Sequence, residues 1–366
     1  MDENNFDETS TLHEMGFAEW RLRNKYWTIY IVPLVVLLLM IYGTWAYCHK
    51  LCYERVYRDF GHKATAIGLI CTCCVLDALI IAIWVLIVSC GPGHQPGVAP
   101  HLLVDSADLE NTTVAPNCYQ SDPHGYPVWC SNCQSLKVGR TKHSSHQGHC
   151  VPRFDHYCVW LGAVIGFKNY RLFVQFVFYF AVLLMIVWIT ISVYIRDIRQ
   201  YHARLNANLI VLLIISGIGW LMTSGLFVSY IYYMSQNLTS IEVIDLKKRK
   251  RTPELSMQRF YCYYNSDDHY RYVVKLDNDF KGSVYKKHWL KNIKEFMGSN
   301  PMLWFIPLPQ YWHESPLANG ERDVNTIVSP YQEEVGPHTI DYIKKRIESG
   351  EYIHKFKEPG REKTHL

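Results

Sequence analysis

Four consecutive residues carry the most reactive chemistry in this chain: Asp155-His156-Tyr157-Cys158. A thiol attacks as its thiolate, and it needs a base or local positive charge to become one. His156 lies two residues from Cys158, and Asp155 is placed to orient or polarise its imidazole. Arg140, Lys142 and Arg153 add positive charge that favours the thiolate. Between Trp129 and Phe173 there are six Lys or Arg and one acid, Asp155. A loop this basic suits a phosphate-bearing cofactor, with Arg140, Lys142 and Arg153 as the candidate contacts. The competing reading makes His156 and Cys158 metal ligands.

The same segment opens with Cys130-x2-Cys133. Two thiolates on a tight knuckle form half of a tetrahedral zinc site, which a histidine and a third cysteine can close. His143, His146, His149, Cys150, His156 and Cys158 are the candidates, and spacing alone does not choose among them. The chain has 12 cysteines. Four fall in this one segment, which the topology below assigns to the cytosol. There the reducing environment favours metal binding or catalysis over a disulfide framework.

The elements that position this segment follow from charge. Mean hydropathy is −0.07 and 19% of residues are charged, an ordinary soluble average over 366 residues. The average hides four stretches, 26–47, 64–90, 172–195 and 205–234, that contain one charged residue between them, Asp77. Each approaches or exceeds the roughly 20 residues that cross a bilayer as a helix. Trp27, Trp45, Tyr47, Tyr230, Tyr232 and Tyr233 sit near their ends, as interfacial aromatic belts do. Soluble helices seldom run this far without a charged face. Asp77 is expected to face the bundle interior.

The run Lys247-Lys248-Arg249-Lys250-Arg251 follows the fourth stretch closely. By the positive-inside rule it puts the C-terminal tail in the cytosol. Four spans then put the N-terminus and the loop between spans two and three there too. Arg21, Arg23 and Lys25 agree; Lys50, Arg55, Arg58 and Lys63 between spans one and two do not. The sequons at Asn111 and Asn237 would be cytosolic and unused. A net charge of +4 is too small for a nucleic-acid binder. The expected organisation is an N-terminal tail (1–25), spans one and two (26–90), a linker (91–128), a catalytic cysteine-rich domain (129–171), spans three and four (172–235) and a C-terminal region (236–366).

At these residues the sequence resembles the DHHC cysteine-rich protein palmitoyltransferases. Within them it resembles the fungal group carrying DHYC at the signature, the protein fatty acyltransferase five type. The resemblance covers the four-span membrane α-helical layout, the loop between spans two and three, and the segment from Cys130 to Phe173. Gly91-Pro92-Gly93 resembles the family's Asp-Pro-Gly motif with its Asp lost. Thr239-Ser240-Ile241-Glu242 resembles its Thr-Thr-x-Glu motif. Asn292 to Gly298 resembles its C-terminal Asn-containing motif, in which Asn292 would brace the active site. Val138 and Val159 stand where the family usually has proline.

The resemblance implies an enzyme whose Cys158 attacks the thioester of a long-chain acyl-CoA such as palmitoyl-CoA. His156 would act as base, with Asp155 orienting it. The acyl group then passes to cysteine thiols of substrate proteins at the membrane. It also implies one structural zinc on Cys130, Cys133, His143 and Cys150. The family's second zinc site falls on Ser144, Gln147, Tyr157 and Val164, so all four of its ligands are absent together. Tyr157, Trp160 and Val164 are the expected fillers of that space. The alternative is a non-catalytic membrane zinc-binding adaptor. A RING-type ligase needs eight ligands, where this loop offers one convincing set, and a single intramembrane charge gives little support to transport.

Overall fold

The computed structural model describes residues 27–98, 115–201, 205–252, 258–277, 280–309 and 331–357. The N-terminal tail with Arg21, Arg23 and Lys25, and the sequon at Asn111, lie outside the described residues. Among the described residues, four helices are long and apolar enough to cross a membrane: α1 (Ile29–Asp59), α2 (Lys63–Cys90), α3 (Tyr170–Tyr201) and α4 (Ala207–Ser235). All four match expected spans, but the first is longer than its apolar run. The helix passes Tyr47 and continues to Asp59 with wider, π-type turns over Ala46–Asp59. Two ion pairs at i,i+4, Lys50–Glu54 and Arg55–Asp59, hold the charged part in helical form.

The described chain divides into two compact units. One comprises the residues up to Val88, Tyr157–Ala163 and Phe176–Ser224. Its core contains Tyr47, Leu51, Ile80, Val187, Ile191 and Leu209. Polar contacts join its helices at membrane depth. Thr44 Oγ1 donates to Asp77 Oδ2 at 2.7 Å, Tyr42 OH to Asn208 Oδ1 at 2.9 Å, and Tyr47 and Thr190 share a hydrogen bond of 3.1 Å. Asp77 is thus a satisfied helix–helix contact.

The other unit comprises Ser89–His156, Val164–Gln175 and Gly225 onward. Its largest sheet is four-stranded and antiparallel, in the order β1 (Cys118–Ser121), β8 (Arg259–Asn265), β9 (Tyr270–Leu276) and β10 (His354–Lys357). Short strands carry the cysteine-rich segment: β2 (Trp129–Cys130) with β3 (Ser135–Leu136), and β4 (Lys142–Ser144) with β5 (His149–Val151). Strands β6 (His156–Cys158) and β7 (Ala163–Ile165) follow. Helices α5 (Ser240–Arg251), α6 (Trp289–Met297) and α7 (Pro337–Glu348) complete the unit.

Chain ends are set by local chemistry. Gly91 follows α2 with φ of 62°, a left-handed conformation that glycine adopts without strain. Pro92 stops the helix, and its carbonyl accepts from Lys168 N–H at 3.1 Å. Asn237 takes the same left-handed role after α4, with φ of 53°. Leu238 N–H then reaches back to Tyr233 O at 2.9 Å, the 6→1 bond of a helix C-cap. Helix α5 starts two residues later, where Thr239 N–H donates to Glu242 Oε2 at 2.9 Å, one arm of a capping box.

Val138 explains one departure from the family pattern. Its N–H donates to Gln95 Oε1 at 3.0 Å, while Gln95 Nε2 donates to Leu136 O. A proline at 138 has no N–H and would leave that buried amide oxygen unpaired.

Candidate active site and metal cluster

Strand pairing builds a cluster of side chains that could hold a metal ion. In the β4–β5 hairpin His143 stands opposite Cys150, so both side chains leave one face together. The 130–133 knuckle brings its two thiols to the same point. His143 Nδ1 lies 3.6 Å from Cys130 Sγ and 3.3 Å from Cys133 Sγ. The four donor atoms of Cys130, Cys133, His143 and Cys150 are all within 4.8 Å of one another. Three thiolates and one imidazole at that spacing suit a tetrahedral soft-metal site. Of the six closing candidates, His143 and Cys150 therefore join the knuckle. His149 instead turns its ring to His94, with centroids 4.5 Å apart.

The positions expected to have lost ligands are unlike one another. Val164 and Ser144 are buried, Gln147 is exposed, and Tyr157 is half-buried. Trp160 is 63% exposed, so it does not fill a space left by a metal.

Asp155 is fully buried and its carboxylate is crowded with donors. Oδ2 accepts from His156 Nδ1 at 2.6 Å and from Tyr230 OH at 2.8 Å. Oδ1 accepts from Ser240 N–H at 2.6 Å. Ser240 is the first residue of α5, so this N–H is one of the helix's free donors, at the positive end of its dipole. Ser240 Oγ also donates to Asp155 O, and Asp155 N–H donates to Ile165 O. Backbone and side chain are both fixed.

A carboxylate only accepts, so Nδ1 of His156 carries the proton in this contact. In that tautomer Nε2 is the acceptor nitrogen of the neutral ring. The imidazole is edge-on to Phe173, 5.1 Å between centroids, which restrains its plane. Cys158 is the third residue of the strand that begins at His156, and it is 7% exposed. In a strand, residues two apart project from the same face.

Arg140 and Arg153, read from sequence as cofactor contacts, have buried partners instead. Arg153 Nε donates to Glu333 Oε1 at 2.7 Å and Arg140 Nε to Glu333 Oε2 at 2.8 Å. Arg153 also donates to Glu295 O, and Arg140 to the side chain and carbonyl of Asn237 and to Glu242. Their guanidinium planes lie over Phe296 and Tyr285 at 4.6 and 4.5 Å. Burial would raise the Glu333 carboxyl, but the two guanidinium groups outweigh it and hold it down at about 2. Both arginines are therefore enclosed and neutralised. Lys142 differs, with its side chain 41% exposed and only a long contact to Asp245. It lines a 420 Å³ cavity together with Lys137, His143, Gln120 and Tyr261.

Sequence reasoning missed Tyr230, Asn237 and Glu333. Tyr230 was legible only as a belt aromatic and Asn237 only as a sequon. Glu333 has no local signal at all. Asn237 Nδ2 donates to Glu295 Oε2 and Tyr285 O, and lies 3.4 Å from Asn292 Oδ1. Asn292 Nδ2 donates to Ser235 O, and its Oδ1 accepts from Lys287 N–H. Asn292 thus ties α6 to the C-terminal end of α4, and Ser240 carries Asp155 directly.

The described site thus holds a buried Asp155 on the first N–H of a helix, a part-exposed His156 in contact with it, Cys158 two residues further along the strand, and a Cys3His cluster. Residues 124–247 match the family model described as DHHC palmitoyltransferase. The chain is 47% identical to the palmitoyltransferase PFA5 of Saccharomyces cerevisiae over 356 residues, covering 91% of this chain and 94% of that one. It is 41% identical to the palmitoyltransferase PFA5 of Eremothecium gossypii, covering 91% and 96%. With that of Kluyveromyces lactis the identity is 37%, covering 88% and 93%. The chain belongs to the DHHC palmitoyltransferase family, in its fungal PFA5-type group. It is a protein S-palmitoyltransferase, and this catalytic reading is favoured over the zinc-binding adaptor.

Proposed function

We propose that this chain moves a palmitoyl group from palmitoyl-CoA to cysteine thiols of membrane-associated proteins through an acyl-enzyme on Cys158. The observation that carries the proposal is the Asp155–His156 contact at 2.6 Å, with Asp155 held by Ser240 and Tyr230. In the first step His156 takes the Cys158 proton, the thiolate adds to the thioester carbonyl, and the C–S bond to CoA breaks. The CoA sulfur leaves with the proton returned by His156. In the second step His156 deprotonates the substrate thiol, which attacks the Cys158 thioester and frees the enzyme thiolate, reprotonated by His156. Asp155 stays ionised and stabilises the imidazolium that forms twice.

Membrane placement suits the substrate. Each buried methylene contributes about 0.8 kcal/mol, so a sixteen-carbon chain favours the bilayer by on the order of 10 kcal/mol. The acyl chain remains among the spans while the thioester reaches Cys158. Lys142 is the best remaining candidate for a phosphate contact, because Arg140 and Arg153 already have carboxylate partners. Cys130, Cys133, His143 and Cys150 would hold one zinc ion. Four protein ligands leave no open position, so the ion stabilises the cysteine-rich segment and takes no part in the transfer. The catalytic segment and both termini face the cytosol, as the Lys247–Arg251 run at the end of α5 suggests.

The test uses full-length protein, labelled palmitoyl-CoA and metal analysis. The wild type should take up hydroxylamine-sensitive label, and Cys158→Ser should take up none. Full labelling of Cys158→Ser contradicts the proposal. Metal analysis should give about one zinc per chain, and a value near two contradicts the single site.

A further inference from the structure

Residues 301–309 read Pro-Met-Leu-Trp-Phe-Ile-Pro-Leu-Pro, with no charged, hydroxyl or amide side chain. They begin as a 3₁₀ turn, Pro301–Phe305, capped by Asn300, whose Oδ1 accepts from Met302 N–H at 3.0 Å. Met302, Phe305, Ile306 and Leu308 are exposed, Met302 to 83%. A contiguous apolar face of this kind needs an occupant.

The backbone hydrogen bonds of the segment bear on what that occupant is. Arg171 and Gln175, in the first turns of α3, are 1% and 2% exposed. Arg171 Nη2 donates to the carbonyls of Leu303 and Ile306. Gln175 Nε2 donates to the carbonyls of Trp304 and Ile306, each at 2.8 Å. Locally, Leu303 N–H bonds to Asn300 O, Ile306 N–H to Leu303 O, and Leu308 N–H to Ile306 O. Pro301, Pro307 and Pro309 have no N–H to satisfy. A surface loop in water has no need of buried donors for its carbonyls. Irregular backbone at membrane depth does, because hydrocarbon offers no partner.

The depth follows from α3 itself. The apolar run of this span begins at Leu172, and Gln175 lies about 7–8 Å along the axis from Tyr170 at 1.5 Å per residue. The carbonyls that Gln175 holds therefore lie alongside the first turns of a membrane span. The preceding helix, α6, adds exposed Trp289 and Lys291, and Lys286 just before it is exposed too. Tryptophan with lysine is the composition of a membrane interface.

We propose that residues 301–309 are a membrane-inserted anchor, and that the apolar face of Met302, Phe305, Ile306 and Leu308 is occupied by acyl chains of the leaflet at which α3 begins. The anchor adds to the four spans a further attachment of the C-terminal part of this unit to the bilayer, held against α3 by Arg171 and Gln175. The inference rests on the membrane spans and does not depend on the acyl-transfer chemistry.

The test places the full-length protein, one copy per lipid nanodisc, with two carbene precursors, one dissolved in lipid and one in water. The lipid-dissolved reagent should label 301–309 at a rate like that of the α4 span. The water-soluble reagent should label it at least tenfold more slowly than the exposed Tyr126 segment. A Met302→Asp/Phe305→Asp variant should reverse this preference. Labelling of wild-type 301–309 from water at the Tyr126 rate overturns the proposal. So does absence of label from both reagents, because protein then covers the face.

Discussion

Two buried carboxylates in one unit, Asp155 and Glu333, are used in opposite ways. Glu333 lies between two guanidinium groups that are themselves enclosed by aromatic rings and carbonyls. Each of its oxygens has a cationic partner, and both guanidinium groups are almost fully buried. Asp155 is as deeply buried, yet one of its partners is an imidazole 30% exposed at its side chain. Neutral donors, Ser240 N–H and Tyr230 OH, meet its other needs. In the proposed mechanism the ion-paired network only stabilises the fold, and the other orients the imidazole that would act as base. Burial and satisfied hydrogen bonds alone do not mark a catalytic carboxylate; an accessible partner that can change protonation does.

The largest effect that separates the two is on chemistry. Asp155→Asn should lower the rate of acyl-enzyme formation by about 10²–10⁴, the range for loss of assisted proton transfer. Its melting temperature should stay close to wild type, because Asn can still accept from Ser240. Rapid-quench labelling beside a thermal melt checks this. Next comes Glu333→Gln, which leaves two buried guanidinium groups short of charge. It should destabilise the fold by about 3–5 kcal/mol, read as a lower unfolding midpoint, with activity per folded molecule retained.

Tyr230→Phe removes one donor from Asp155 and leaves the Ser240 and His156 contacts. A loss of about 1 kcal/mol, or roughly fivefold in rate, is expected for a single neutral hydrogen bond. A thousandfold loss would instead make Tyr230 a direct participant. The smallest effect near neutrality is that of pH on the Glu333 network. Its carboxyl is held at about 2 in the fold, against roughly 4.3 when unfolded. A depressed carboxyl stabilises the folded state fully above the unfolded value and stops doing so as pH falls through the folded one. Unfolding midpoints should therefore be insensitive to this group above about pH 5 and fall between roughly pH 4 and pH 2. In Glu333→Gln that acid component should disappear.

The sequence revealed one network far better than the other, for a physical reason. Asp155, His156 and Cys158 lie within four residues, and strand geometry alone relates them. The metal knuckle Cys130-x2-Cys133 is equally local. Choosing His143 and Cys150 to close it required resemblance, and the β4–β5 register supplies the reason. Glu333 is 180 residues from Arg153 and 193 from Arg140. No periodicity links residues that far apart, so both arginines looked like free cations available for phosphate. The four spans were legible because absence of charge is a strong signal. The extension of α1 to Asp59 was not, because Lys50–Glu54 and Arg55–Asp59 become helix-stabilising only once they are paired on one face. Tyr230 and Asn237 were visible as residue types, but their use depends on what α5 and α6 bring beside them.

The most direct measurement follows acyl-enzyme formation and thermal unfolding together in wild type, Asp155→Asn and Glu333→Gln. The account predicts a crossed result. Asp155→Asn should lose the Cys158 thioester burst and keep its melting temperature, while Glu333→Gln should lose melting temperature and keep the burst per folded molecule. Parallel losses of rate and stability in both variants would contradict it, because the two carboxylates would then serve one structural purpose.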